Sequence, residues 1–454
     1  MAPRGASAVR INLAHTLELL HTHITAALCQ TVFATVRTTE RQRAWTLDAL
    51  VQFWLAVILR APKALSHALA EALDGTVPLV HPVPATPEAF FQRCRDLRPA
   101  FFAAVFAEFT RRLLPRARPT YAGELAALQA RFAAVLVVDG STLAAIAHRL
   151  KLLWPERTVI LPGCLLGLYD LGRGLCRGLG FAPDAAAAEL PRAVAALPQC
   201  PRDALLVGDR LYCAAAWFRA LTQHGCWGLV RRNRPLGLRR LRRLRQRRYR
   251  GGRLEEWLVA AGARDSVVLR HIRWHRGRTA HELLTNVLDP QRLPAVEALA
   301  LYPARWTIER MYYDLKEVLN LNRVYAANPN AIAMQLYAAA CVYNAVRVAQ
   351  AQVAAAARLA PEALSPAKLF PRVAAACQAH AVLEWSFGEL QRANPGRRLR
   401  RPVLHRQRFA SVALATIRVE PRTGPRRRPG FYEGRPPWKS LAHVRGARKV
   451  LKLT

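Results

Sequence analysis

Apolar residues recur at helical spacing through most of residues 9–130. The clearest stretch, Thr46 to Arg60, reads Thr-Leu-Asp-Ala-Leu-Val-Gln-Phe-Trp-Leu-Ala-Val-Ile-Leu-Arg, and Ala64 to Leu73 continues it. Gly75 to Pro87 reads as a loop, Pro87 to Leu114 as one helix and Gly123 to Arg131 as another. The pattern then shortens. Phe132 to Asp139 is a continuous apolar run ending in Asp-Gly-Ser-Thr, as a buried strand followed by a turn would end. Thr158–Tyr169 and Gly174–Phe181 read as two more strands, Ala185–Leu197 as a helix, Ala204–Asp209 as a strand, Tyr212–His224 as a helix and Trp227–Val230 as a fifth strand. That alternation predicts an α/β fold with a mixed sheet. Ser266–Trp274 and His281–Leu288 flank a turn over His275–Ala280 and predict a hairpin. A long helix is expected from Pro303 and an Ala-rich one from about Asn330 to Leu359. There is no internal repeat.

Composition adds one strong constraint. The 454 residues are 52% hydrophobic, enough for more than one core, but carry 68 Lys and Arg against 30 Asp and Glu. A net charge of +38 attracts polyanions, and nucleic acid fits because phosphate neutralisation releases condensed counterions. A membrane surface fits less well, since the basic residues do not flank an apolar span and no run reaches the ~18 uninterrupted apolar residues of a spanning helix. The first twenty residues lack a signal-peptide core, so the chain reads as cytosolic. Nine scattered cysteines, none in Cys-x-x-Cys spacing, read as small buried hydrophobes. His21 and His23 alone offer too few ligands for zinc. Arg231 to Arg253 holds twelve arginines, which either track phosphates or only solubilise a surface; the tail after Gly396 is basic, rich in Pro and expected to be partly disordered.

Asp139 and Asp209 each close an apolar strand, and ligands of α/β sheets gather outside the carboxyl ends of strands. Turn chemistry explains either aspartate equally well when taken singly. Further on, Tyr302, Arg305, Glu309 and Lys316 would fall within about 60° of one another on a helix. Beside them Ile308, Tyr312, Leu315 and Leu319 make an apolar stripe. By spacing alone, that polar row is also compatible with ordinary ion pairs on a solvated face.

The spacing Tyr302, two residues, Arg305, three residues, Glu309, six residues, Lys316 resembles the YREK signature of bacterial DDE transposases of the IS-four insertion-sequence type. Asp139-Gly-Ser-Thr resembles the first-aspartate motif of that family and Asp209-Arg-Leu-Tyr the second, with Leu211 where the family often has Gly. The resemblance covers residues 130–350 and implies an RNase H-like core. Its β-rich insertion would fall between Asp209 and Glu309, and a helical N-terminal domain would precede it. Asp139, Asp209 and Glu309 would be the catalytic metal ligands, holding two Mg²⁺ ions about 3.5–4 Å apart, with Mn²⁺ able to substitute. Tyr302, Arg305 and Lys316 would contact phosphate, Arg by its planar fork and Lys as a point charge. Several relatives flip a base onto an aromatic ring of the insertion; Trp274 is the first candidate platform and Trp257 the second, with packing against the core as the plainer reading of either. Arg231, Arg232, Arg234 and Arg273 are the expected DNA-contacting arginines of the basic stretch.

The implied division is 1–130 for recognition of DNA ends, 131–230 and 283–359 for the two parts of the core, 231–282 for the insertion, and 360–454 for a basic C-terminal region. The implied partners are double-stranded DNA, both element ends and target, and a second copy of the chain in a synaptic dimer, in a bacterial, nucleoid-associated setting. The alternatives are a metal-dependent nuclease on the same core and an inactive DNA-binding relic.

Overall fold

The computed structural model describes residues 9–36, 43–75, 82–117, 123–142, 163–183, 187–262, 266–321, 323–326, 328–393, 395–396 and 407–409. Its frame is one nine-stranded sheet. The strands, after a short β1 (Val9–Ile11), are β2 (Ala134–Thr142), β3 (Cys164–Asp170), β4 (Leu175–Ala182), β5 (Ala204–Gly208), β6 (Trp227–Arg231), β7 (Leu238–Tyr249), β8 (Gly252–Ala261), β9 (Val267–Arg276) and β10 (Thr279–Thr285). They lie in the order β4-β3-β2-β5-β6-β10-β9-β8-β7. β2, β5 and β6 run parallel, and every other pairing is antiparallel. The parallel trio is apolar on both faces because it is covered on both, as parallel strands must be. A three-residue β11 (Gln407–Phe409) pairs with β1.

Alternation along the strands sorts side chains between two layers. Val135 and Val137 of β2, with Leu205 and Val207 of β5, join a core that includes the N-terminal helices. Leu136, Val138 and Leu206 join a smaller core on the opposite face, beneath the Glu189–Ala196 and Ala215–Gln223 helices. Hydrogen-bonded neighbours across the sheet keep to one face. The row Val137, Val207, Leu229, Thr285, Arg270, Leu258, Arg242 therefore crosses six pairings on the first face.

The Pro329–Ala356 helix is long and apolar enough by composition to cross a membrane, but its most apolar stretch is buried inside the protein. Asn328 caps it by accepting from the Asn330 and Ala331 amides. It packs between β4 and the helices His15–His23, Leu47–Arg60 and Pro99–Leu113.

Several elements depart from the sequence expectations. The helix expected over Pro87–Leu114 is two helices, Pro87–Asp96 and Pro99–Leu113, because the residue before Pro99 leaves the helical region (Arg98 ψ 142°). Around residues 123–131 only a 3₁₀ turn and one α-turn form. Asp139 lies within β2, paired with Gly167, rather than in a turn after the strand. The helix expected from Pro303 is a chain of segments: an α-helix Ala295–Leu301, a 3₁₀ turn Tyr302–Trp306, an α-helix Thr307–Tyr313 and a π-turn Asp314–Val318. The arginine run, given no strand from its pattern, forms β7 and the start of β8. Beyond residue 359 a 28-residue helix, Pro366–Ala393, has no counterpart among the sequence expectations. The start of the strand expected at Thr158 and almost all of the tail after Gly396 lie outside the described residues.

Candidate active site

Asp139 follows Val137 by two residues and Asp209 follows Val207 by two. Both aspartates therefore project from adjoining parallel strands onto the first face of the sheet. Arg231, two residues after Leu229, takes the same position one strand further on. Asp209 is extended (φ −79°, ψ −170°) and caps the 3₁₀ turn Arg210–Tyr212, its Oδ1 accepting from the Leu211 amide at 2.7 Å.

Opposite them lies the Thr307–Tyr313 helix, whose Ile308, Met311 and Tyr312 are buried against this face. Tyr312 anchors it by donating its hydroxyl to the Asp139 carbonyl oxygen at 2.7 Å. Gly167 of β3 makes the close approach possible, since a Cβ there would sit 2.7 Å from the Tyr312 hydroxyl. Arg305 bridges the two sides: Nη1 donates to Asp139 Oδ2 at 3.0 Å and Nη2 lies 3.6 Å from Glu309 Oε1. Its guanidinium also covers the exposed Trp306 ring at 4.7 Å. Asp139 and Arg305 are mostly buried, whereas the Glu309 side chain is 42% exposed.

Lys316 turns elsewhere. The π-turn aims its Nζ at Ser141 Oγ and the Thr142 carbonyl, both at 2.7 Å, so it grips the end of β2, and burial pulls its pKa down. Tyr302, in the 3₁₀ turn, feels the charges of Arg305, Asp209 and Arg231, and burial raises its phenol pKa. The structure thus gathers Asp139, Asp209, Glu309, Tyr302, Arg305, Lys316 and Arg231 around one end of the parallel strands.

The pattern of the sequence missed one acid. Glu189, at the start of its helix on the opposite face, accepts from the Tyr212 hydroxyl at 2.5 Å. Its carboxylate fills the space that Gly140 leaves by lacking a Cβ. Burial pushes the Glu189 pKa up, and Asp209 adds to that. Burial also raises the Asp139 carboxyl to about 7; Arg305 opposes the rise, and Glu189 and Asp209 add to it. A lone carboxylate closing the run Ala185–Ala188 was the available signal.

These oxygens are of the kind that hard divalent cations take, and burial first, with Glu189 and Asp209 adding to it, holds the Asp139 carboxyl near 7. In this conformation Arg305 supplies the positive charge, and no group of three possible ligands among the described residues is close enough to hold a metal ion. A cation between Asp139 and Glu309 requires Arg305 to turn away.

The other expected contacts divide. Arg232 pairs with Glu282 at 2.5 Å, and Arg273 lies 3.6 Å from Glu282 and 4.0 Å from Glu255, so both are held by acids of the sheet. Arg231 and Arg234 are exposed. Trp274 is half-buried on the face of the two aspartates, its Nε1 donating to the Tyr249 carbonyl at 2.8 Å and its ring beside His281. Trp257 lies on the opposite face beneath Arg240 and Arg243. His23 packs near Phe109, and all nine cysteines are buried and none is in a disulfide.

Two similarities to known proteins bear on the family of the chain. The chain is similar over 156 residues, at 28% identity, to "Putative transposase y4zB" of Sinorhizobium fredii. That stretch is 32% of this chain and 42% of the relative, so the chain matches less than half of its length. Residues 165–345 match the family model of the transposase DDE domain, a segment that contains Asp209 and Glu309 and begins after Asp139, and the two similarities together support a DDE transposase.

Proposed function

We propose that this chain is a DDE transposase of the IS-four insertion-sequence type, performing cut-and-paste transposition. It hydrolyses phosphodiester bonds at element ends and joins the freed 3′-hydroxyl to target DNA. One juxtaposition carries the reading: Asp139 within β2 and Asp209 just after β5 lie on one face of adjoining strands, and the helix packed on that face presents Glu309, linked to Asp139 through Arg305. The order β4-β3-β2-β5-β6, with β3 antiparallel, supports an RNase H-like core, to which β7–β10 add the β-rich insertion.

Asp139, Asp209 and Glu309 would hold two Mg²⁺ ions, or Mn²⁺ in their place. When bound, such ions activate the attacking oxygen and stabilise the leaving one. The chain's own residues do the rest. Arg305 neutralises Asp139 at rest, and its fork suits two oxygens of the substrate phosphate once it is released. Lys316 fixes the Ser141–Thr142 end of β2, and with it the direction of Asp139. Tyr302 and Arg231 stand beside Asp209, where phosphate oxygens would need donors. The partners are duplex DNA and a second copy of the chain, with the N-terminal helices (1–130) recognising element ends.

The test uses purified protein, Mg²⁺ and a labelled duplex carrying the element's own end. Glu309→Gln keeps the shape and removes the charge. End cleavage by the parent, lost in the variant while binding persists, is the expected result; equal cleavage by both would sink the reading. Joining of pre-cut ends to a target duplex separates a transposase from a nuclease on the same core.

A further inference from the structure

β7 is the last strand of the sheet, and its outer edge pairs with nothing among the described residues. Its arginines are all exposed. Their pairing with β8 breaks register between Arg240 and Arg242 and again between Arg243 and Arg245, leaving Leu241 and Leu244 without partners. Each leucine is the extra residue of a bulge. In a regular strand the repeat Leu-Arg-Arg would mix leucine and arginine on both faces. With a bulge at each of these leucines, Arg239, Arg242, Arg245 and Arg247 lie opposite Ala260, Leu258, Glu256 and Leu254 on one face, and Arg240, Arg243 and Arg248 opposite Val259, Trp257 and Arg253 on the other.

Among the described residues, no carboxylate neutralises these seven. Glu255 is held by Arg253 at 2.8 Å and approached by Arg273, while the buried Glu256 faces Arg270 at 3.8 Å. None of the seven forms an ion pair with a carboxylate among the described residues. A charge or two suffices to keep an edge strand from pairing with another sheet. Seven uncompensated arginines sorted onto two faces repel one another until an anion lies along both sides.

The first set shares the sheet face of Asp139 and Asp209, since Arg242 belongs to the row that begins at Val137. From β5 to β7 is five strand spacings, which at ~4.8 Å each is about 24 Å. At 3.4 Å per step that is about seven base pairs of duplex.

We propose that β7 is a clamp for duplex DNA. Its free edge enters the major groove, and the arginines of its two faces neutralise phosphates of the two walls, about seven base pairs from the bond held at Asp139 and Asp209. The major groove admits a β-ribbon. Arginines meeting phosphates at a regular spacing position a duplex without reading its sequence. The inference rests on the reading of the acids as a DNA-processing centre.

The test is fluorescence anisotropy of the full chain on a labelled duplex, without metal, across a salt series. Each phosphate contact contributes about 0.9 to the slope of log affinity against log salt. Arg239→Gln/Arg242→Gln/Arg245→Gln is expected to flatten the slope by about 3, and Arg240→Gln/Arg243→Gln/Arg248→Gln by a similar amount. The matching Arg→Lys triples keep the charge and should keep the parent's slope, which guards against misfolding as the cause. If the parent cleaves element ends but both Gln triples retain its slope, β7 is only a charged edge and this inference falls alone. If the parent binds no duplex at any salt, the inference and the transposase reading fall together.

Discussion

Arg305 is the residue on which the site turns, because it touches an acid from the sheet and an acid from the helix at once. The cost of the arrangement shows at Asp139, whose carboxyl is pushed up to about 7 by burial and its acidic neighbours despite that arginine. Below the ordinary carboxylate range both folded and unfolded chains hold the proton, and the group is neutral toward stability. As pH rises toward 7 the unfolded chain loses its proton first, so folding stability falls, by up to about 4 kcal/mol above pH 7. Asp139→Asn removes that penalty. It should raise the metal-free melting temperature at pH 8 and leave it unchanged at pH 4, as differential scanning calorimetry would show. On the proposed function, Mg²⁺ should also stabilise the parent more at pH 8 than at pH 5, because the ion competes with that proton. The amide introduced by Asp139→Asn carries no charge, so the variant should lose the Mg²⁺ effect; an undiminished effect would place the ion elsewhere.

At the scale of elements, the sheet strands carrying the aspartates were legible because each is a short apolar run closed by an acid. The face they share follows from alternation alone. The Glu309 helix was legible in its spacing but not in its shape. Its 3₁₀ and π turns arise from what Arg305 and Lys316 must reach, and those partners lie more than a hundred residues away. β7 was illegible because a repeat of three matches neither the strand period nor the helix period until bulges absorb the leucines. Glu189 was illegible because its partners, Tyr212 and Gly140, are brought to it only by the layering of helix on sheet. Packing of helix on strand also sets the distance between the acids. Gly167→Val would drive a side chain into Tyr312 and Met311, whose atoms already lie 2.7 and 2.9 Å from an added Cβ. Glu309 would then be displaced from Asp139 by something near an ångström, which costs on the order of 10²-fold in rate. On the proposed function, single-turnover end cleavage should fall by that amount while duplex affinity stays near the parent's; full cleavage would show that this packing does not fix the acids.

For the whole molecule the question is whether the N-terminal helices form a unit of their own or part of the catalytic body. The apolar contacts favour one body, because a single core runs from Leu13 and Trp54 through the Pro329–Ala356 helix to Val137 and Leu205. Asn344, fully buried on that helix, joins the parts by hydrogen bonds. It accepts from the Cys176 amide at 2.8 Å, donates to the Cys176 carbonyl at 2.8 Å, and donates to Thr110 Oγ at 3.0 Å. Cys176 lies on β4, the opposite edge of the sheet from β7, so this side chain satisfies the Cys176 backbone at an edge that no strand among the described residues covers. Asn344→Leu fills the volume but leaves an amide, a carbonyl and a hydroxyl without that partner, at about 1–3 kcal/mol for each buried group left unsatisfied. A loss of about 3 kcal/mol or more is therefore expected in urea unfolding. The sharper expectation concerns its distribution. In a single body, hydrogen exchange should quicken together in the Leu47–Arg60 helix, in β4 and in β2, because each reaches the same core. Quickening confined to the N-terminal helices would make them a separable unit. On the proposed function, end recognition could then be moved without disturbing Asp139, whereas a shared response would tie the proposed grip on DNA ends to the geometry of the acids.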